Sequence, residues 1–431
     1  MNAMRIAHVR ARRVYDSRGR PTVEAEVVLE GGGRGRAIAP AGASRGAREA
    51  IDHRDGGTAF GGLDVATALR NVRTTLAAAV TGRDAGDQAG VDALIVAADG
   101  TPNKARLGGN ATVAVSLAVA AAAADGRGVP LWRHLAGDAP VSLPLPEVQI
   151  FGGGAHAGRR LDLQDLMVMP VGAHSFAEAL AMVAEIYRAA GALMAERGAL
   201  AGVADEGGWW PQFDSNEQAL DTLVAAIERA GFAPGADAAI SLDIAASELG
   251  RDGRYRLALD DREFDRDALA ALWLRWLDRY PIASIEDPFG EDDADAWTAF
   301  ARAAGHRVQI VGDDFLTTSA ARVTAAAAAG TCNAVLVKPN QAGTVSEARA
   351  ALEAGRAAGF GTIVSARSGE TEDVSVAHLA VGWNAGQLKV GSFARGERMA
   401  KWNEVLRIEE ALGGTARYAG ASALHGRWGG R

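Results

Sequence analysis

Cysteine is nearly absent: Cys332 is the single one in 431 residues. This excludes an intrachain disulfide framework and a cysteine-based zinc site, and it fits a reducing compartment. Positive charge is also scarce, with 45 Lys and Arg against 53 Asp and Glu and a net charge of −8. A broadly basic nucleic-acid surface is therefore not expected. Long apolar runs are missing. The longest, Val113 to Ala124, is Ala-rich and falls short of the roughly 20 residues that span a bilayer. The opening stretch carries Arg5, Arg10, Arg12 and Arg13, without the apolar run of about 7–15 residues that a secretory signal needs. The expectation is a soluble cytoplasmic protein with neither nucleic-acid nor membrane partners.

What is present is ample core material. Hydrophobic residues make up 48 % and charged residues 23 %, enough for two or three domains or a large barrel with an appendage. Thr22 to Leu29 alternates apolar and polar residues as a half-buried strand does. Gly31 to Gly35 reads as a turn, Arg36 to Ala41 as a returning strand, and Gly42 to Gly46 as a flexible loop. From Asp64 to Ala124 the apolar spacing is helical, which suggests a small α+β domain. Turn chemistry at Gly137-Asp138-Ala139-Pro140 places a boundary there, giving domains 1–138 and 139–431.

The second domain alternates. Strand-like runs at 166–170, 239–244, 283–285, 308–311, 334–337, 362–364 and 387–389 are separated by helical segments such as 265–279, 319–329, 345–358 and 371–381. Repeated strand–helix units predict an α/β fold with a parallel sheet, closed as a (β/α)8-type barrel. The stretch from Leu143 to Val203 is less regular.

Polar residues interrupt the strand ends: Asp243, Glu286, Asp313, Lys338, Arg367 with Ser368, and Lys389. From Glu286 onward they follow at about one strand–helix unit each, so they should converge at one barrel mouth. Three carboxylates at one point need a counter-charge, and a hard divalent cation such as Mg²⁺ supplies it. Lys338 and Lys389 are expected on the opposite side, where a lysine near a metal and a second cation has a depressed pKa and can act as a base. Glu206, in the turn Asp205-Glu206-Gly207-Gly208, would be the acid for a leaving group. The competing reading is a belt of salt bridges that closes the barrel mouth.

With their neighbours, these residues resemble the enolase family almost end to end. The matching blocks are DSRGRPTVE, GASRG, GGNATVAVSLAVA, GGGAHAG, LQDLMVMPVGA, ADEGG, LDIAASE, SIEDP, GDD, VKPNQAGT, RSGETED and GQLKVGS. The resemblance implies an N-terminal α+β capping domain and a C-terminal modified (β/α)8 barrel. It also implies dehydration of 2-phosphoglycerate to phosphoenolpyruvate with two Mg²⁺ per site, in a homodimer or homo-octamer. By the same matching, Asp243, Glu286 and Asp313 are first-metal ligands, and Ser44 helps bind the second. Lys338 is the base at carbon 2 and Glu206 the acid at the carbon-3 hydroxyl. Lys389 binds the substrate carboxylate, Arg367 and Ser368 the phosphate, while His156 closes over substrate and Gln164 is a polar site residue.

The departures from the family pattern fall at the site. Ala366 stands where enolases have a histidine before the Arg-Ser pair. Asp165 replaces the glutamate after the site glutamine, a loss of one methylene or about 1.5 Å of reach. Arg20, Ala41, Gly152, Pro339, Trp209 and Trp210 replace the usual Asn, Ser, Asn, Val and Phe-Ala. One reading is drift within a true enolase. The other is a paralogue that keeps proton abstraction and β-elimination on a substrate with a further anionic group, Arg20 adding charge if it points inward. Carboxyphosphonoenolpyruvate synthase, an enolase relative in phosphonate pathways, is such a case. Either way the expected partner is a small phosphorylated or phosphonylated hydroxy acid.

Overall fold

A computed structural model describes residues 2–43, 46–210 and 212–429. The capping domain opens with an antiparallel sheet of β1 (Ile6–Tyr15), β2 (Pro21–Leu29) and β3 (Arg34–Ile38), in that order. β1 is not evident in the sequence because its arginines mask the alternation. Arg12 Nη2 pairs with Glu26 at 2.7 Å and Arg13 with Asp64 at 2.8 Å, so the charges are spent on neighbouring elements. The Ala-rich helix Gly109–Gly126, buried along most of its length, lies on β2 and β3. Gly35 permits this closeness: a Cβ there would sit 2.1 Å from both Ala118 O and Ala122 N.

The second domain is a closed barrel. Its strands are β4 (Leu145–Gly152), β5 (Asp165–Met169), β6 (Ala239–Asp243) and, after a small three-stranded excursion β7 (Gly250–Arg251), β8 (Arg254–Leu257) and β9 (Arg262–Asp265), β10 (Ile282–Glu286), β11 (Gln309–Gly312), β12 (Ala334–Val337), β13 (Gly361–Ser365) and β14 (Gly386–Ser392). The ring runs β10-β11-β12-β13-β14-β4-β5-β6.

One strand corrects the expectation of a parallel sheet: β5 is antiparallel to both β4 and β6. Residues 153–164 join β4 to β5 without the α-helix that usually carries a parallel crossover. Two helices, Phe176–Glu196 and Asn216–Arg229, then separate β5 from β6, so the chain reverses once more and the rest of the ring is parallel. β4 itself was hidden by Pro144, Pro146, Glu147 and Gln149 in an otherwise apolar run.

The barrel interior is partly polar. Gln309 and Gln387 exchange amide hydrogen bonds of 2.9 Å in both directions, and Gln309 Nε2 also donates to Ser284 Oγ at 3.1 Å. Large apolar side chains such as Trp273, Trp276 and Trp297 are buried in the main core. Among the described residues, no helix is long and apolar enough to cross a membrane.

Candidate active site

Strand ends deliver most of the site. Asp243 ends β6, Glu286 ends β10, Asp313 follows β11, Lys338 follows β12, Arg367 and Ser368 follow β13, and Lys389 lies in β14. Reversed β5 brings its first residue, Asp165, to the same mouth, in register with Asp243. The connecting loops add His156, Gln164 and Glu206. His156, Gln164, Asp165, Glu206, Asp243, Lys338, Arg367, Ser368 and Lys389 line one cleft, with Gly42 of the capping domain also in its wall. Glu286 and Asp313 join them through the lysines. Ser44 lies outside the described residues.

Lys389 does not stand opposite the carboxylates but among them. Its Nζ donates to Asp243 Oδ2 and to Glu286 Oε2, both at 2.8 Å, and lies 3.4 Å from Asp165 Oδ2. Lys338 Nζ donates to Asp313 Oδ2, whose other oxygen accepts from Gln341 Nε2 at 2.8 Å. The expected depression of the Lys338 pKa supposes a metal ion beside it; from the protein groups alone the shift runs the other way. Burial is the largest single influence and pushes the pKa down, but the carboxylates around it, Asp313 and then Glu286, raise it on balance. Lys389 is raised well above its ordinary range against burial, by Asp243 and Glu286. Glu286 is also raised well above its ordinary value, by burial and then by Asp243.

A second cluster holds His156. Its Nδ1 lies 3.2 Å from Asp165 Oδ1 and its Nε2 3.7 Å from Glu206 Oε1. Burial lowers the imidazole pKa, yet the two acids reverse that and raise it. Burial likewise favours protonation of Asp165, but His156 and Lys389 hold that carboxyl below its ordinary range.

Arg367 reaches the cleft already paired. Its Nη1 donates to Glu49 Oε2 at 2.9 Å and to Asn340 Oδ1 at 3.1 Å, and its Nη2 to Glu49 Oε1 at 3.2 Å. Burial opposes its charge, and Glu49 more than restores it, raising the guanidinium pKa. Ser368 Oγ accepts from Ala43 N at 2.6 Å, tying the capping loop to the barrel. Ala366 lines the cleft, whereas the Arg20 side chain is exposed and lines none of it. The condition that Arg20 point inward is not met.

Sequence reasoning passed over Glu49, Glu147, Gln149 and Gln341. Glu147 and Gln149 were signalled by being polar on an apolar strand. Glu49 carried no signal, because its partner Arg367 is 318 positions away.

The carboxylate oxygens suit a hard divalent cation. Glu286 Oε1 is buried without a hydrogen-bond partner among the described residues. The tightest groups, with ligand atoms all within 4.8 Å, are His156–Asp165–Glu206 and Asp287–Asp313–Asp314. Lys389 bridges Asp243 and Glu286 instead, while Asp313 pairs with Lys338.

A closed barrel under an α+β cap, with carboxylates, lysines and a histidine meeting at one mouth, has the form of a barrel enzyme whose acidic groups could hold a metal ion. Residues 6–135 match the family model for the enolase N-terminal domain, and residues 140–426 the model for the enolase C-terminal TIM barrel domain. The chain belongs to the enolase family, whose domains point to a lyase-type enzyme that typically uses Mg²⁺.

Proposed function

We propose that this protein is a Mg²⁺-dependent dehydratase that takes the carbon-2 proton of 2-phosphoglycerate, or a close analogue, and eliminates water to give an enolpyruvate phosphoester. One observation carries the reading: Lys338, just after β12, and Asp165, on β5 with His156 and Glu206 of the loops beside it, stand at strands diametrically opposed in the eight-stranded ring. A base and an acid on opposite sides of one cleft suit an elimination that removes a proton from one carbon and a hydroxyl from the next.

Asp243, Glu286, Asp313 and Ser44 would hold two Mg²⁺ ions, which supply positive charge where the substrate carboxylate becomes a dianion. Lys389 adds its own charge at the same place. Lys338 Nζ, as the neutral amine that positive charge at the Asp313 carboxylate would favour, accepts the carbon-2 proton. The electron pair becomes the carbon–carbon double bond, and the carbon–oxygen bond breaks as Glu206 protonates the departing hydroxyl. Asp165 orients His156 beside Glu206. Gln164, Arg367 and Ser368 bind the remaining polar groups of a small phosphorylated or phosphonylated hydroxy acid. The same reading makes the assembly a homodimer or homo-octamer.

A second reading is a paralogue acting on a modified substrate, of the carboxyphosphonoenolpyruvate synthase type. Ala366 favours it, because a methyl group lines the cleft beside Arg367 where a histidine is usual. The exposed Arg20 gives it no support.

The test is incubation with Mg²⁺ and 2-phosphoglycerate, following enol absorbance, with a Lys338→Ala control. Turnover that falls by about 10²–10⁴-fold in the control supports the first reading. No turnover, with carbon-2 proton exchange retained, supports the second, and phosphonate-bearing glycerate esters are then the substrates to try. Loss of both turnover and exchange refutes the proposal.

A further inference from the structure

Two departures from the family pattern, Gly152 and Asp165, meet at one side chain that neither the family match nor the sequence reading singles out. Gln149 is fully buried on β4. Its Nε2 donates to Asp165 Oδ1, and its Oε1 accepts from Gly208 N at 2.8 Å. Asp165 Oδ1 also faces His156 Nδ1, and His156 Nε2 faces Glu206 Oε1, two residues before Gly208. The polar groups therefore form a closed ring: Gly208, Gln149, Asp165, His156, Glu206, and back along the chain.

Space for the amide is provided by glycines. A Cβ on Gly208 would come within 2.4 Å of Gln149 Oε1. A Cβ on Gly152 would stand 3.3 Å from both Gln149 Nε2 and Gln149 Oε1, and 2.6 Å from the Ala204 Cβ. An asparagine at 152, as the family pattern has it, would occupy the room beside this amide.

We infer that Gln149 is a positioning residue that makes up for the shortened acid: it reaches across the space left at Gly152, grips Asp165, and fixes His156 and the Glu206 turn at the spacing the proton transfer needs. The inference rests on the elimination reading for its catalytic consequence, but not for its geometry. The arithmetic is one of methylenes. Gln149 with Asp165 has the same total as Asn with Glu, so each single exchange breaks the span and the double exchange restores it.

The test is a cycle of Gln149→Asn, Asp165→Glu and the double variant, with Gln149→Leu as a further single change that keeps volume and removes both hydrogen bonds. A misplacement of about 1 Å can cost on the order of 10²-fold in rate. Each single variant is expected to lose about that much kcat, with KM little changed and carbon-2 proton exchange by Lys338 retained. The double variant is expected to recover to within a few-fold of wild type. Independently of any substrate, proton NMR of the imidazoles should show a protected Nδ1–H for His156, assigned with His156→Asn. It should be lost in the single variants and regained in the double.

Single variants that match wild type in rate and imidazole signal overturn the inference. So does a double variant no better than the worse single. If wild type neither turns over 2-phosphoglycerate nor exchanges its carbon-2 proton, the functional reading fails while the imidazole signals still decide this one.

Discussion

Glu147 lies on β4 inside the barrel, in register with Lys389 on β14. Ser241 Oγ donates to its Oε2 at 3.0 Å, and its Oε1 has no hydrogen-bond partner among the described residues. Burial pushes its carboxyl from the ordinary 4.5 up to about 7, with Lys389 and Ser241 only partly offsetting the rise. Below 4.5 the side chain is protonated in folded and unfolded chains alike, and no cost arises. As the pH climbs from there to about 7, the unfolded chain releases this proton while the folded chain keeps it. The folded state then binds more protons, so stability falls with rising pH across that window and levels off above it. A rise from 4.5 to about 7 corresponds to about 3 kcal/mol. Glu147→Gln keeps the shape and the acceptor for Ser241 but cannot ionise. Its stability relative to wild type should therefore climb by about 3 kcal/mol between pH 4 and pH 8. Urea unfolding of both proteins across this range measures the difference, and effects of the other titrating groups common to both cancel. Carbon NMR of the Glu147 carboxyl should place its midpoint near 7. A flat difference curve, or a midpoint at an ordinary carboxylate value, would refute the reasoning.

Three further outcomes follow from individual contacts and from the candidate metal site. Glu49→Ala strips the buried Arg367 guanidinium of its bidentate partner, and should cost about 3–5 kcal/mol in urea unfolding, because the charge stays buried and loses its principal counter-charge. Gly35→Ala drives a methyl into the backbone of the helix Gly109–Gly126; an overpacking loss of about 1–3 kcal/mol is expected, read as a lowered thermal midpoint. Mg²⁺ at about 100 times its Kd should stabilise the protein by about 2.7 kcal/mol relative to a chelator-treated sample. Glu286→Gln should abolish that shift in calorimetry, whereas Arg20→Ala, at an exposed position, should leave it intact.

Much of the site was legible in the sequence because strand ends at unit spacing must meet in a closed barrel. Asp243, Glu286, Asp313, Lys338 and Lys389 were readable on that ground alone. Asp165 was not, since it sits at the start of its strand; only the reversal of β5 brings it to the mouth. β1 was hidden by surface arginines whose partners are on other elements. The lysine pKa values could not be foreseen either. They depend on which carboxylate each ammonium touches, and spacing says nothing of side-chain pairing. Gln149 shows the same limit at short range: its partners Asp165 and Gly208 lie 16 and 59 residues away, linked by tertiary packing rather than by any motif.

The remaining question from the sequence is whether the charges form a site or only a belt that closes the mouth. Buried ion pairs are poor stabilisers, because desolvation consumes most of the attraction, so a belt is worthwhile only where every lone pair and proton is satisfied. That condition is not met among the described residues. Glu286 Oε1, Gln164 Oε1 and Glu147 Oε1 are buried without hydrogen-bond partners, and Asp165 Oδ2 has none beyond the 3.4 Å approach of Lys389. Two of the four, on Gln164 and Asp165, belong to residues that line the cleft. Replacing such a cluster with apolar residues of similar volume would be neutral or stabilising by about 1–4 kcal/mol. A belt would therefore be lost at no expense, whereas a site that must hold cations and an anionic substrate cannot be. The unsatisfied oxygens at the mouth weigh for the site.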